Sequence, residues 1–298
     1  MQRQVGQSEA GARLDLTLSR WLEESRSRSQ KRIDAGQVTV DGAVVAKSTI
    51  VGSGQTVVVT PPPAPVSPDP PTVNVRFRDD DLAVVVKPPG LVVHAGAGVA
   101  GPTLVDALQA QGLALAPGQD PRRPGIAHRL DRGTSGLLVV ALSDTALGGL
   151  RRLFAAHDVH REYWALVEGT PDPPAATIDA PIVRSSRNRT TFTTGDRGRA
   201  AQTHYTTMAV HRQTAEVILT LETGRTHQVR VHLRAIGRPV AGDLAYGASA
   251  VLASDLGLGR QALHARRLAF VHPVTGAKID LSADLPDDLA NARQRASI

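Results

Sequence analysis

The chain contains no cysteine, which removes disulfides, thiolate nucleophiles and cysteine-ligated zinc or iron–sulfur centres together. Aromatic residues make up only 3%, so the core must be aliphatic and a nucleic-acid base would meet few stacking platforms. Long apolar runs are also missing: none approaches the roughly 18 residues that cross a bilayer. The opening stretch is polar and carries Glu9 and Asp15. These absences predict a soluble, cytoplasmic protein with no membrane partner. There is no GxxxxGK[ST] run to cradle phosphates and no HExxH, and the histidines lack a carboxylate at ligand spacing. Neither ATP chemistry nor a catalytic metal is expected.

What is present suits a globular enzyme. A length of 298 residues accommodates one large domain and one small one, and 41% apolar residues can fill both cores. Thirty-four Lys and Arg against 28 Asp and Glu leave a net charge of +6. That excess favours a polyanionic partner, although an ordinary basic enzyme carries as much.

The clearest boundary is Pro61 to Pro71, PPPAPVSPDPP, an extended spacer that can neither continue a helix nor donate to a sheet. It divides a small domain, residues 1–60, from a body of residues 72–298. In the small domain Leu14, Leu16, Leu18, Trp21 and Leu22 predict one helix, and Arg26, Arg28, Lys31, Arg32 and Ile33 a second that Gly36 stops. QVTVDGAVV reads as a hairpin turning at Asp41-Gly42, with Thr56 to Val59 as a closing strand. Arg28, Lys31 and Arg32 could sit against phosphates or form a solvated helix face, and spacing leaves both open.

The body alternates strands and helices. RFRDDDLAVVVKPPGLVV predicts a hairpin, Thr103 caps a helix to Gln111, GLLVVAL is a buried strand, and Ser143 caps a helix to about Ala156. REYWALVEG and AEVILTLE return to strands. The order fits an α+β class with a large mixed, mainly antiparallel sheet. Gly96 to Gly101 matches GxGxxG, but Pro102 and Thr103 interpose a new cap, and Asp120 sits in a loop rather than at a strand end. A nicotinamide or flavin site is therefore not expected.

Two segments carry chemistry. In GIAHRLDRGTSGLL, Asp131 is flanked by Arg129 and Arg132 just before a buried strand. This suits an ionised carboxylate on a cleft floor, or an aspartate paired to its neighbours in a turn. In ETGRTHQVRVHL, Gly224 ends a strand, Thr226 caps a helix whose apolar face is Val229, Leu233 and Ile236, and Arg225 sits at the junction. From there a guanidinium can reach toward a carboxylate or bind phosphate.

Together these segments resemble the RluA-type family of pseudouridine synthases, whose signature is HRLDxxTSGLL. LAVVVKPPGLVVHAG, HREYWALVEG, GDLAYG and LHARRLAFVHP resemble its other motifs, and the first sixty or so residues resemble the small RNA-binding module, shared with a ribosomal protein, that many members carry. Gly133 and Pro89 depart from the usual pattern, outside the family's catalytic positions.

The resemblance implies the pseudouridine synthase fold and isomerisation of uridine to pseudouridine in structured RNA, without a cofactor. It implies large-subunit ribosomal RNA as substrate, with transfer RNA or a non-catalytic ribosome-assembly role as alternatives; a monomer is expected, although the sequence does not fix the oligomeric state. Asp131 matches the essential aspartate, Tyr163 the tyrosine that lies against the uracil, and Arg225 the arginine that pairs with the aspartate. His128 and Arg129 would help hold the everted target, and Arg184, Arg187 and Arg189 would contact phosphates.

Overall fold

The computed structural model describes residues 1–61, 69–96, 99 and 101–298. The chain divides into two units, Met1–Ser67 and Pro68–Ile298. Most of the expected proline spacer and half of the glycine run at 96–101 lie outside the described residues.

In the first unit, helices α1 (Leu14–Trp21) and α2 (Arg26–Asp34) pack beside a four-stranded sheet of β1 (Gln2–Gln4), β2 (Val38–Val40), β3 (Ala43–Val44) and β4 (Thr56–Val59) in the order β1-β4-β2-β3. Asp41 and Gly42 both have positive φ, 49° and 82°, as a tight two-residue hairpin turn requires. Leu14, Leu18, Ile33, Val38, Val40, Val57 and Val59 close a small core of their own.

The second unit is organised by a nine-stranded sheet. In chain order its elements are β5 (Asn74–Arg78), β6 (Leu82–Lys87), α3 (Leu104–Ala110), β7 (Ser135–Ala141), α4 (Asp144–Ala156), β8 (His160–Glu168) and β9 (Ala175–Asp179). A separate two-stranded hairpin follows, β10 (Ile182–Arg184) with β11 (Phe192–Thr194). The remainder is β12 (Gln202–Val210), β13 (Thr214–Leu221), α5 (Gln228–Ala235), α6 (Ala250–Leu256), β14 (Leu263–Val271), β15 (Lys278–Ser282) and α7 (Asp287–Ala296). The sheet runs β5-β6-β7-β14-β8-β13-β12-β9, with β15 also on β14. All its pairings are antiparallel except β7 with β14.

Strand β7 is buried along its whole length. Leu138 and Val140 face one core, while Leu137, Val139 and Ala141 face the other. Covered on both faces, such a strand reads as an unbroken apolar run. Helix α3 packs on the first core, held at its start by a capping box between Thr103 and Asp106, and α4 packs on the second behind its Ser143 cap. Gly149 in α4 is there for packing, since a Cβ on it would lie 2.3 Å from Pro273.

The parallel contact depends on one glycine. Ser135 pairs with His264 and Gly136 with Ala265, so closely that a Cβ on Gly136 would lie 2.2 Å from the Ala265 carbonyl oxygen. Gly136 also has φ +116°, which side-chain-bearing residues rarely adopt. Ser135 Oγ bonds to His264 Nδ1 at 2.9 Å across the same junction. Among the described residues no helix is long and apolar enough to cross a membrane.

Candidate active site

A cleft of about 460 Å³ opens on the second unit, and Asp131, Tyr163, Arg225, His227, Arg230 and His128 all line it. Three segments converge there: the loop before β7, strand β8, and the turn leading into α5.

The Asp131 loop is tied down from behind. Lys87 is fully buried at the end of β6, and its ammonium donates to the carbonyls of Pro88 (2.8 Å), Leu91 (2.9 Å) and Arg132 (3.2 Å). Burial first, then the Arg260 charge, lowers the Lys87 pKa to about 7 against an opposing pull from Asp131. Gly90 N–H donates to Arg132 O (2.8 Å), Arg132 Nε returns a bond to Gly90 O (3.0 Å), and Arg260 Nη1 donates to Gly133 O (2.8 Å). The segment KPPG thus braces the loop whose Asp131 side chain is left 17% exposed.

The cation facing that carboxylate is Arg230, not Arg225. Arg230 Nη1 lies 3.3 Å from Asp131 Oδ2, while Nε and Nη2 grip both oxygens of Asp243 at 2.6 and 2.8 Å. Its guanidinium also lies over the Tyr246 ring, 4.6 Å from the centroid. Burial works against the charge, but the Asp243 bonds and the nearby Asp131 outweigh it and hold the Arg230 pKa above its usual value. The nearest Nε2 of His227 stands 3.9 Å from Asp131 Oδ1.

The physical reason for the exchange of arginines is where the helix begins. Thr226 does not cap α5. The N-cap is His227, in a left-handed conformation with φ 57° and no side-chain cap bond, and the helix starts at Gln228. Arg230 therefore lies in the first helical turn with its side chain turned inward. Arg225 stays in the preceding turn, where its Nε donates to Ala200 O at 2.9 Å. Gln228 fixes that turn: its Oε1 accepts from Arg225 N–H (2.9 Å) and the Thr223 hydroxyl (2.7 Å), and its Nε2 donates to Gln202 O and Thr203 Oγ1. Val229 and Leu233 are buried as expected, whereas Ile236 is the exposed C-cap.

Tyr163 projects from β8 with only 7% of its surface exposed. Burial raises its pKa, opposed by Arg161 and reinforced by Asp131, so the phenol stays protonated at neutral pH. His128 stacks on Phe154 (4.4 Å between centroids) and its Nε2 accepts from Val139 N–H at 3.1 Å. Burial and the Arg161 charge lower its pKa to about 3. A neutral ring so engaged offers no positive charge to a phosphate. Arg129 and Arg123 line the same cleft and are exposed.

The other expected cations lie outside the cleft lining. Arg184 donates to Arg189 O and lies 5.2 Å over the Phe192 ring, on the β10–β11 hairpin with exposed Arg187 and Arg189. In the first unit, Arg28 and Arg32 share the Glu24 carboxylate at 3.4 and 3.2 Å, and exposed Lys31 makes no ion pair among the described residues. Sequence reasoning missed Arg230, Asp243, His227 and Tyr246. The signal was there for two of them in GDLAYG, a motif whose members turn out to sit beneath the cleft. Among the described residues no cluster of three His, Asp or Glu side chains is placed to hold a metal ion.

Comparisons with known proteins find matches for both units. The profile described as RNA pseudouridylate synthase matches residues 81–235, and the S4 domain profile matches residues 12–57. An uncharacterized RNA pseudouridine synthase of Mycobacterium bovis is 41% identical over 288 residues, covering 95% of this chain and 94% of that one. The ribosomal large subunit pseudouridine synthase D of Xanthomonas campestris is 41% identical over 300 residues, covering 96% of this chain and 89% of its own. The solved human RNA pseudouridylate synthase domain containing 4 superimposes with a TM-score of 0.59 at 27% identity, over 75% of this chain and 92% of that one.

Proposed function

The chain belongs to the RNA pseudouridylate synthase family and carries an S4 domain, and from that premise we propose that it isomerises specific uridines of large-subunit ribosomal RNA with Asp131 as the catalytic carboxylate. The observation that carries the reading is the placement of Asp131: partly exposed in a cleft, faced by a buried arginine on one oxygen and with a buried tyrosine lining the same space.

The reaction breaks the bond from ribose C1′ to N1 of uracil, turns the base, and joins C1′ to C5. N1 gains a proton and C5 loses one, so nothing is oxidised and no cofactor is required. An ionised carboxylate serves either route to that exchange, attack on the nucleotide or removal of a ribose proton. Arg230 keeps a positive charge beside it and, through Asp243, holds that charge in a fixed place. Tyr163, protonated and mostly buried, gives the everted base a flat apolar surface to lie against. Arg123, Arg129 and Arg225 at the cleft supply cationic footing for the flanking backbone, and Arg184, Arg187 and Arg189 extend it along the hairpin. Arg28, Lys31 and Arg32 of the S4 domain add affinity for a large RNA.

The ribosomal substrate is supported by relatives of similar length named for the large ribosomal subunit, such as that of Xanthomonas campestris. In this reading the enzyme works in the cytoplasm as a monomer. Site-resolved pseudouridine mapping in cells lacking the gene tests it. Loss confined to transfer RNA would refute the ribosomal substrate, and an Asp131→Asn protein that still turns over would refute the role of Asp131. The expected result is loss at large-subunit positions, with Asp131→Asn inactive and its RNA affinity changed no more than a few fold.

A further inference from the structure

The turn into α5 holds a group that the chemistry above does not use. We infer that His227 is a positioning residue for Asp131, and that Tyr246 sets its tautomer from beneath the β10–β11 hairpin. The inference rests on the proposed function and adds two residues to its machinery.

Tyr246 is buried, 1% exposed, and its phenol oxygen has two partners. Phe192 N lies 3.0 Å away and His227 Nδ1 2.7 Å away. A backbone amide can only donate, so the oxygen accepts from Phe192, and its single hydrogen is left for His227. Nδ1 is then an acceptor and the ring proton of a neutral imidazole must sit on Nε2. That nitrogen faces Asp131 Oδ1 at 3.9 Å, while Arg230 addresses Oδ2 at 3.3 Å. The two carboxylate oxygens thus face separate donors. A small rotation of Asp131 brings Oδ1 into hydrogen-bond range of the His227 N–H, a tightening that free active sites commonly undergo when substrate enters.

The surroundings are built to keep the ring in this place. His227 holds a left-handed backbone, φ 57°, without glycine's freedom, and such conformations persist where the structure around them demands it. Phe192 and Tyr246 each meet the imidazole edge-on, with centroids 5.6 Å away. Burial lowers the ring's pKa, opposed by Asp131 and Asp243 and reinforced by Arg230 and Arg129, which favours the neutral form with one N–H. Because Phe192 opens β11, the hairpin carrying Arg187 and Arg189 bears directly on the group facing Asp131. A shift of that hairpin on RNA is felt at the carboxylate through Tyr246 and His227.

The test uses the full chain and large-subunit ribosomal RNA transcribed with C5-tritiated uridine, with tritium release read at saturating and limiting RNA. Tyr246→Phe keeps the ring beneath Arg230 and removes only the hydroxyl. It and His227→Ala are each expected to lower kcat by about 10- to 100-fold, with KM within about threefold and the thermal midpoint near that of the parent. His227→Gln can present an amide N–H near the place of Nε2 and is expected to recover at least about fivefold over His227→Ala. The double variant is expected to be no worse than His227→Ala, since both changes break one chain of contacts. Full kcat in Tyr246→Phe, a loss confined to KM, no recovery by glutamine, or additive losses in the double variant would each overturn the inference. A parent chain that releases no tritium from ribosomal or transfer RNA would refute the proposed function itself, an outcome distinct from a parent that is active beside an equally active Tyr246→Phe.

Discussion

Arg230 meets Asp131 across 99 residues of chain, Nη1 to Oδ2 at 3.3 Å. The contact is longer than the two bonds that the same guanidinium makes to Asp243, 2.6 and 2.8 Å. Asp243 therefore anchors the arginine, and Asp131 receives its remaining edge while staying open to the cleft.

This division of labour predicts opposite behaviour for the two arginines of the segment. Arg230→Lys keeps a charge but loses the fork, and is expected to lower kcat by about 100-fold. Arg230→Met leaves Asp243 buried without a partner and should cost about 3–5 kcal/mol of stability, read by urea denaturation. Arg225→Ala, removed from the cleft mouth, should raise KM several fold with kcat little changed. Steady-state tritium release distinguishes the two, and a kcat collapse in Arg225→Ala alone would reverse the assignment.

The glycines of the Asp131 segment should separate just as sharply. Gly136→Ala drives a Cβ to 2.2 Å from the Ala265 carbonyl at φ +116°, and is expected to cost at least about 2–3 kcal/mol. Gly133→Ala meets only the end of the Gln261 side chain, which can swing aside, for a cost of about 1 kcal/mol or less. Equal denaturation midpoints for the two variants would contradict this account.

Much of this was legible in the residues. Alternation and caps placed α1 to α4 and the strands from β2 to β8, because apolar period and capping residues act locally. Asp131 and Tyr163 came together as their motifs implied. The arginine partner did not, because one segment offers both Arg225 and Arg230, and the choice is made by the phase of α5. That phase is set by His227 adopting a left-handed cap, with its ring held by Tyr246 and Phe192 from elsewhere in the fold. Asp243 and Tyr246 lay in the GDLAYG motif, but their roles were not legible there, because the partners Arg230 and His227 belong to another segment.

Acid should loosen the fold through His264. It is fully buried between Ser135 and the Ala283 carbonyl, and burial foremost lowers its pKa from 6.5 to about 4. An unfolded chain takes up the proton first as pH falls. The stability from keeping this ring neutral is thus complete above about pH 6.5, drains away toward pH 4, and amounts to about 3 kcal/mol. His128, with its pKa near 3, extends the same loss to lower pH. Urea midpoints at about pH 7.5 and 4.5 should differ markedly, and less so in His264→Gln. Equal slopes in both proteins would exclude His264 as the source.

The S4 domain should matter for large RNA more than for chemistry. Removing the residues before Pro61 is expected to weaken binding to ribosomal RNA with Asp131 still able to act on what binds. Within the domain, Lys31→Ala should reduce the salt dependence of binding by about one counterion. Arg28→Ala should do less, since Arg28 already leans on Glu24. An unchanged salt slope for Lys31→Ala would remove that residue from the RNA face.

The junction of β7 with β14 also governs when the enzyme comes into being. Residues 135 and 136 can settle only against residues 264 and 265, and the loop carrying Asp131 is pinned by Arg260. A nascent chain can brace the Asp131 loop from the KPPG side alone until residues 260–265 have followed, and a product cut short before them is expected to be inactive.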